Sequence, residues 1–144
     1  MKPSVQISLL CISLLLAIAT CRAQPTFPHN DGERVRYAAT IDTPKGGVSG
    51  ICMLTCDGRT VKGSIVNEFG ISLLDFSYSL HSKKVKLHAV VGLMDKWYIR
   101  RVLRRDLRQL MQNLQQGIMT YTDEKYGIVY RLTPVEVKSK KVKR

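Results

Sequence analysis

Four cysteines carry the most reactive side chains of this chain, and their positions separate two kinds of chemistry. Cys11 lies inside an apolar run from Ile7 to Ala19, and Cys21 follows that run directly after Ala19 and Thr20. A thiol at Cys21 is placed for acylation, which would tie the chain to a bilayer. Cys52 and Cys56 stand in Gly50-Ile51-Cys52-Met53-Leu54-Thr55-Cys56. On a strand, that spacing puts both on one face with Cα atoms about 13 Å apart. A disulfide reaches only about 7 Å between Cα atoms, so the two are not expected to bond to each other. Two readings remain: small core residues on either side of Leu54, or soft ligands of a copper or zinc site, for which no histidine stands close in sequence. His29, His81 and His88 are scattered and read as surface or packing residues.

Other catalytic signatures are missing from the sequence. It contains no Gly-x-Ser-x-Gly, no His-Glu-x-x-His and no phosphate-binding glycine loop. Catalysis is therefore not expected, and no cofactor is implied. The strongest remaining chemistry is electrostatic, with a formal net charge of +12. Arg100, Arg101, Arg104, Arg105 and Arg108 concentrate part of it. Guanidinium groups grip phosphates and carboxylates in bidentate fashion.

The N-terminus selects among partners. Lys2, an apolar run of about 13 residues and small residues after it describe an export signal, too short for a spanning helix. Ile18-Ala19-Thr20-Cys21 resembles the bacterial lipobox, in which a branched apolar residue and two small ones precede the lipidated cysteine. The alternative is a plain signal cut after Ala19 or Ala23. Acyl chains at about 0.8 kcal/mol per buried CH₂ would make attachment effectively permanent. Arg22 after the cysteine favours the outer membrane, by resemblance to lipoprotein sorting. Export removes nucleic acid as a partner. Anionic head groups, acidic envelope sugars or an acidic partner protein remain.

The rest of the chain divides simply. Residues 1–20 read as the signal and 21–32, with two prolines and no periodicity, as lipid anchor and tether. Residues 33–134 form one domain, and 135–144 a basic strand or tail. Five strands are predicted at 34–43, 48–56, 59–67, 71–80 and 85–91, joined by short turns such as Pro44-Lys45-Gly46-Gly47 and Asp57-Gly58. The period then changes to 3.6. Ile99, Val102, Leu103, Leu107, Leu110, Met111 and Leu114 mark one helical stripe between Asp95, the expected N-cap, and Gly117, the expected stop. The five arginines fall within about 140° on the other side. They form either a solvated face or one that docks anionic lipid or an acidic partner. A hairpin over 118–122 and 128–132 follows.

This pattern describes an α+β fold: an antiparallel sheet forming an unclosed half β-barrel, covered by one long amphipathic helix. Such a sheet and lid either pack solidly or enclose an apolar cavity suited to acyl chains. Its expected lining is Leu54, Leu74, Phe76 and Tyr78 from the sheet, under Ile99, Leu103, Leu107, Leu110 and Leu114 of the helix.

The lipobox-like Cys21, the strand meander and Asn67-Glu68-Phe69-Gly70 leading into Ile71-Ser72-Leu73-Leu74 resemble the outer-membrane lipoprotein receptor LolB and its relatives. The resemblance spans roughly residues 33 to 116. It implies an unclosed barrel that accepts or passes lipidated proteins at the outer membrane, facing the periplasm. In that family an exposed apolar residue of a protruding loop meets the membrane, and Phe69 holds that position here, next to Glu68 where the family has proline. Read from the residues alone, Phe69 either packs on the core or projects as an interfacial probe. The expected function is a lipid-anchored carrier of acyl chains. The alternative is an assembly lipoprotein whose arginine face docks an acidic partner.

Overall fold

The computed structural model describes residues 27–135; the signal segment, Cys21 and residues 136–144 lie outside them. Seven strands and one helix follow in order: β1 (Arg34–Thr43), β2 (Gly46–Asp57), β3 (Thr60–Val66), β4 (Ser72–Ser79), β5 (Val85–Val90), a 3-10 turn (Gly92–Met94), α1 (Trp97–Gln115), β6 (Thr120–Asp123) and β7 (Ile128–Pro134). The strands form one antiparallel sheet in the order β5-β4-β3-β2-β1-β7-β6. The fold is thus an α+β half-barrel with a single helix.

The alternation of apolar and polar residues explains the sheet's inner face. Tyr37, Ala39 and Ile41 of β1 are buried with Cys52 and Leu54 of β2, Val61 and Ile65 of β3, and Leu74, Phe76 and Tyr78 of β4. Their neighbours in sequence point outward, as period two requires. Register shifts at Ile65/Val66 and Asp75/Phe76 add local twist to β3 and β4.

The chain leaves the sheet at β5 and returns at the opposite edge, β6, with α1 between them. Helix α1 packs against both of these edge strands, so it lies across the seam the sheet leaves open. Leu103, Leu107, Leu110, Met111 and Leu114 recur at three- and four-residue steps and are buried on the strands. Gly117 ends the helix as expected, at φ +82°, with its N–H donating to Leu114 and the Ile118 N–H donating to Asn113.

The start of the helix differs from expectation. Lys96 is the N-cap and makes no side-chain capping bond. Asp95 instead closes the 3-10 turn through its N–H to the Gly92 carbonyl, and its carboxylate pairs with Arg100. The preceding turn takes the residue that the cap would have used.

The expected tether also needs correction. Phe27 is buried and meets Tyr78 edge-on at 6.5 Å. Asp31 Oδ1 accepts from the Gly58 N–H at 2.9 Å, across the β2–β3 turn where Gly58 has φ +63°. The packed domain therefore begins by Phe27, because an aromatic in the proline-rich segment finds an apolar site under β4. Cys52 and Cys56 are both buried and unbonded. Burial pushes the Cys52 thiol up to about 12, which keeps it protonated and disfavours metal binding.

Candidate functional site

The antiparallel order places four connections at one end of the half-barrel: the β1–β2, β3–β4 and β6–β7 turns and the link from β5 into α1. A cavity of about 990 Å³ opens there. Its inner walls are Ile41 of β1, Val102 and Leu103 of α1, and Ile128 of β7. Its outer rim is Leu93, Trp97, Tyr98 and Tyr126, all strongly exposed. Volumes of roughly 300–1,000 Å³ are usual for small-molecule sites.

Six of the ten exposed large apolar side chains among the described residues belong to this end: Phe69, Ile71, Leu93, Trp97, Tyr98 and Tyr126. The β3–β4 turn holds Phe69 out by local bonding. Asn67 Oδ1 accepts from the N–H groups of Phe69 at 3.0 Å and Ile71 at 2.9 Å, and Gly70 takes φ +78°. Phe69 is 79% exposed, which decides for the projecting reading against core packing.

The charges in the cavity wall are all of one sign. Lys45, Arg101, Arg105 and Lys125 line it, and among the described residues no aspartate or glutamate does. Acidic groups lie behind the wall. Arg105 Nη2 donates to Asp123 Oδ2 at 3.0 Å, and the guanidinium sits 5.7 Å from the Tyr126 ring centre. The Tyr130 hydroxyl, at the inner wall, donates to Asp106 Oδ2 at 2.7 Å. Asp106 is fully buried, and its Oδ1 receives no bond from an N–H or hydroxyl among the described residues. The Arg105 Nε lies 3.7 Å from that oxygen, an ion-pair contact beyond hydrogen-bond distance.

Electrostatics agrees with this arrangement. Burial, outweighing the Tyr130 hydroxyl and reinforced by Asp123, pushes the Asp106 carboxyl up to about 6. Burial also pushes Asp123 upward, but hydrogen bonds with Asp106 and Arg105 outweigh it and hold the group below its ordinary value. The pair thus divides the roles of acid and anion.

The structure redistributes the residues expected from sequence. Leu54, Leu74, Phe76, Leu107 and Leu110 are packed in the core between sheet and helix and do not line the cavity. Tyr78 is also in the core, its hydroxyl donating to Gln115 Oε1 at 3.0 Å. Leu103 and Ile99 do line it, at the start of the stripe. The expected cavity under mid-helix is corrected to one at the helix N-terminal end, because the leucines of the later turns fill the space over the sheet.

The arginine face divides as well. Arg100 pairs with Asp95 and Arg105 with Asp123, whereas Arg101, Arg104 and Arg108 are exposed and form no ion pair with the described residues. Sequence reasoning missed Asp106, Asp123, Tyr130, Leu93 and Trp97. One signal was available: Asp106 interrupts the apolar stripe between Leu103 and Leu107. No family model, curated protein or solved structure matches this chain.

Proposed function

We propose that this protein is a non-enzymatic, lipid-anchored envelope protein that takes up acyl chains, of lipids or of lipidated proteins, at the loop end of a LolB-like half-barrel. The long amphipathic helix serves as the lid, and its first turns form one wall of the binding site. The observation that carries this reading is the apolar cavity of about 990 Å³ whose mouth is ringed by exposed Leu93, Trp97 and Tyr98. Acylation of Cys21 would hold the domain at the outer membrane, facing the periplasm.

Every strand and the helix among the described residues lie between Phe27 and Val135, so a form starting at Arg22 retains all of them. Titration of that form with a fluorescent fatty-acid probe is expected to saturate near one probe per chain. Val102→Trp, which fills the inner wall, should weaken probe binding about tenfold, as roughly 1.4 kcal/mol of lost contact gives. Non-saturable binding, or equal binding by the filled variant, would sink the reading.

Phe69 and Ile71 then face the bilayer. Burying a phenylalanine side chain is worth about 1.5–3 kcal/mol, so Phe69→Ser should reduce partition onto vesicles about tenfold. Flotation of the form starting at Arg22 measures it. An unchanged partition would remove Phe69 from the contact.

A second reading rests on the exposed, unpaired Arg101, Arg104 and Arg108: these could dock an acidic partner protein. Charge reversal at Arg104 and Arg108, both outside the cavity, should then abolish partner recovery while leaving probe binding intact.

A further inference from the structure

We infer that the ligand of the end cavity is an amphiphile with an anionic head, a carboxylate or a phosphate, held against Arg105. This rests on the acyl-binding reading and adds the head-group class to it. Three observations support it.

First, Lys45, Arg101, Arg105 and Lys125 line the cavity, and among the described residues the carboxylates that form ion pairs with any of them, Asp123 and Asp106, stand behind Arg105 rather than in the wall. A neutral lipid would leave these cations facing an apolar chain, whereas an anionic head offsets their charge where the walls lower the local dielectric. Second, Arg105 is preorganised. Asp123 fixes one end of its guanidinium at 3.0 Å, and Tyr126 lies 5.7 Å away. Its Nε faces Asp106 Oδ1 at 3.7 Å, its other N–H groups have no hydrogen-bond acceptor among the described residues, and the side chain is half exposed. A fork of donors held in place at the cavity wall suits two oxygens of one head group. Third, the four cations of the wall outnumber the two carboxylates behind Arg105, Asp106 and Asp123, so the wall with its backing stays net cationic even with both carboxylates charged. Fatty carboxylates and alkyl phosphates share this chemistry, and so does the head of a membrane phospholipid.

Trp97 is the only tryptophan of the chain and lies on the cavity rim, which makes its emission a direct reporter. The form starting at Arg22 would be titrated with laurate, dodecyl phosphate and dodecanol, each below its micelle concentration. Vesicles of phosphatidylcholine with and without phosphatidylglycerol make a separate arm. Laurate and dodecyl phosphate are expected to bind saturably, at least tenfold more tightly than dodecanol. Arg105→Gln should remove most of that preference. Because Arg105→Gln also breaks the bond to Asp123, Lys125→Gln and Arg101→Gln provide variants that leave the buried pair intact; each should reduce the preference severalfold.

Equal affinity for laurate and dodecanol would overturn the head-group assignment while leaving acyl binding standing. No binding of any of the three would remove the acyl-binding reading itself. A response only to phosphatidylglycerol vesicles would overturn the inference in favour of a bilayer surface contact.

Discussion

Gly63→Val is expected to abolish cooperative unfolding of the domain at ambient temperature, and Gly63→Ala to lower its stability by about 2–3 kcal/mol. Gly63 is buried on β3 directly opposite Phe76 of β4. The ring lies over the glycine so closely that an added Cβ would stand 2.2 Å from Cζ, 2.5 Å from Cε1 and 2.7 Å from Cε2. Carbon atoms in contact prefer about 3.5–4.0 Å, so the ring or the strand must move. Phe76 is itself among the fully packed side chains of the core, and its displacement pushes on the strands beside it. An aromatic over a strand glycine also restores packing that the glycine lacks. Urea unfolding followed by circular dichroism measures the loss. Phe76→Leu should recover part of it in the Gly63→Ala background, because contacting residues couple. A Gly63→Ala stability within about 0.5 kcal/mol of the parent would show that the ring has room.

Why this contact escapes a reading of the sequence is instructive. Gly63 falls inside a predicted strand, and Phe76 alternates correctly in the next one, yet their pairing depends on the length of the β3–β4 turn. Local periodicity placed Phe76 on one face of its strand and Gly63 no more closely than within a strand, and stopped there. The same limit applies to the cavity. Leu54, Leu74, Phe76 and Tyr78 were legible as an inner face, and Leu103, Leu107 and Leu110 as the facing stripe. Where space remains between two such surfaces depends on how the helix sits, and here it crosses from edge strand β5 to edge strand β6. Its later turns fill the sheet, while its first turn and the 3-10 turn before it leave the end open.

The arginines show a related limit. A 100° step gathers all five on one arc, but side-chain direction follows partners from distant sequence. Asp123 arrives on β6 through pairing with Ile128 of β7, and it draws Arg105 back toward the sheet. Arg101, Arg104 and Arg108 are those for which the described residues supply no such partner. By contrast, the Gly117 stop and the strand starting at Arg34 were fixed by neighbours alone, and they appear where the sequence puts them.

Asp106→Asn should gain about 2 kcal/mol of stability relative to the parent between pH 4.5 and pH 7.5. The groups facing Asp106 are Arg105 on its own helix, Tyr121 and Asp123 on β6, and Tyr130 on β7. Burial raises its carboxyl to about 6, above the ordinary 3.8. The folded state therefore holds this proton more tightly than the unfolded chain does. Its stabilising contribution is complete below about pH 4 and is lost as pH rises through about 6. Asp123 acts in the opposite sense: its carboxyl is held low, so its contribution is present above about pH 4 and lost as pH falls below that. Together the two place their joint maximum in the interval between. Asparagine imitates the protonated form, with an oxygen for the Tyr130 hydroxyl and an amide N–H for Asp123. It should remove the decline from pH 5 to 7.5 and leave the acid limb in place. Tyr130→Phe is the contrasting change. It takes away the one donor to Asp106 Oδ2, and should destabilise at pH 7.5 more than at pH 4.5, where the neutral carboxyl loses less. Urea midpoints across pH 4 to 8 for the three proteins decide the matter. Parallel curves for the parent and Asp106→Asn would mean that Asp106 does not titrate in this interval.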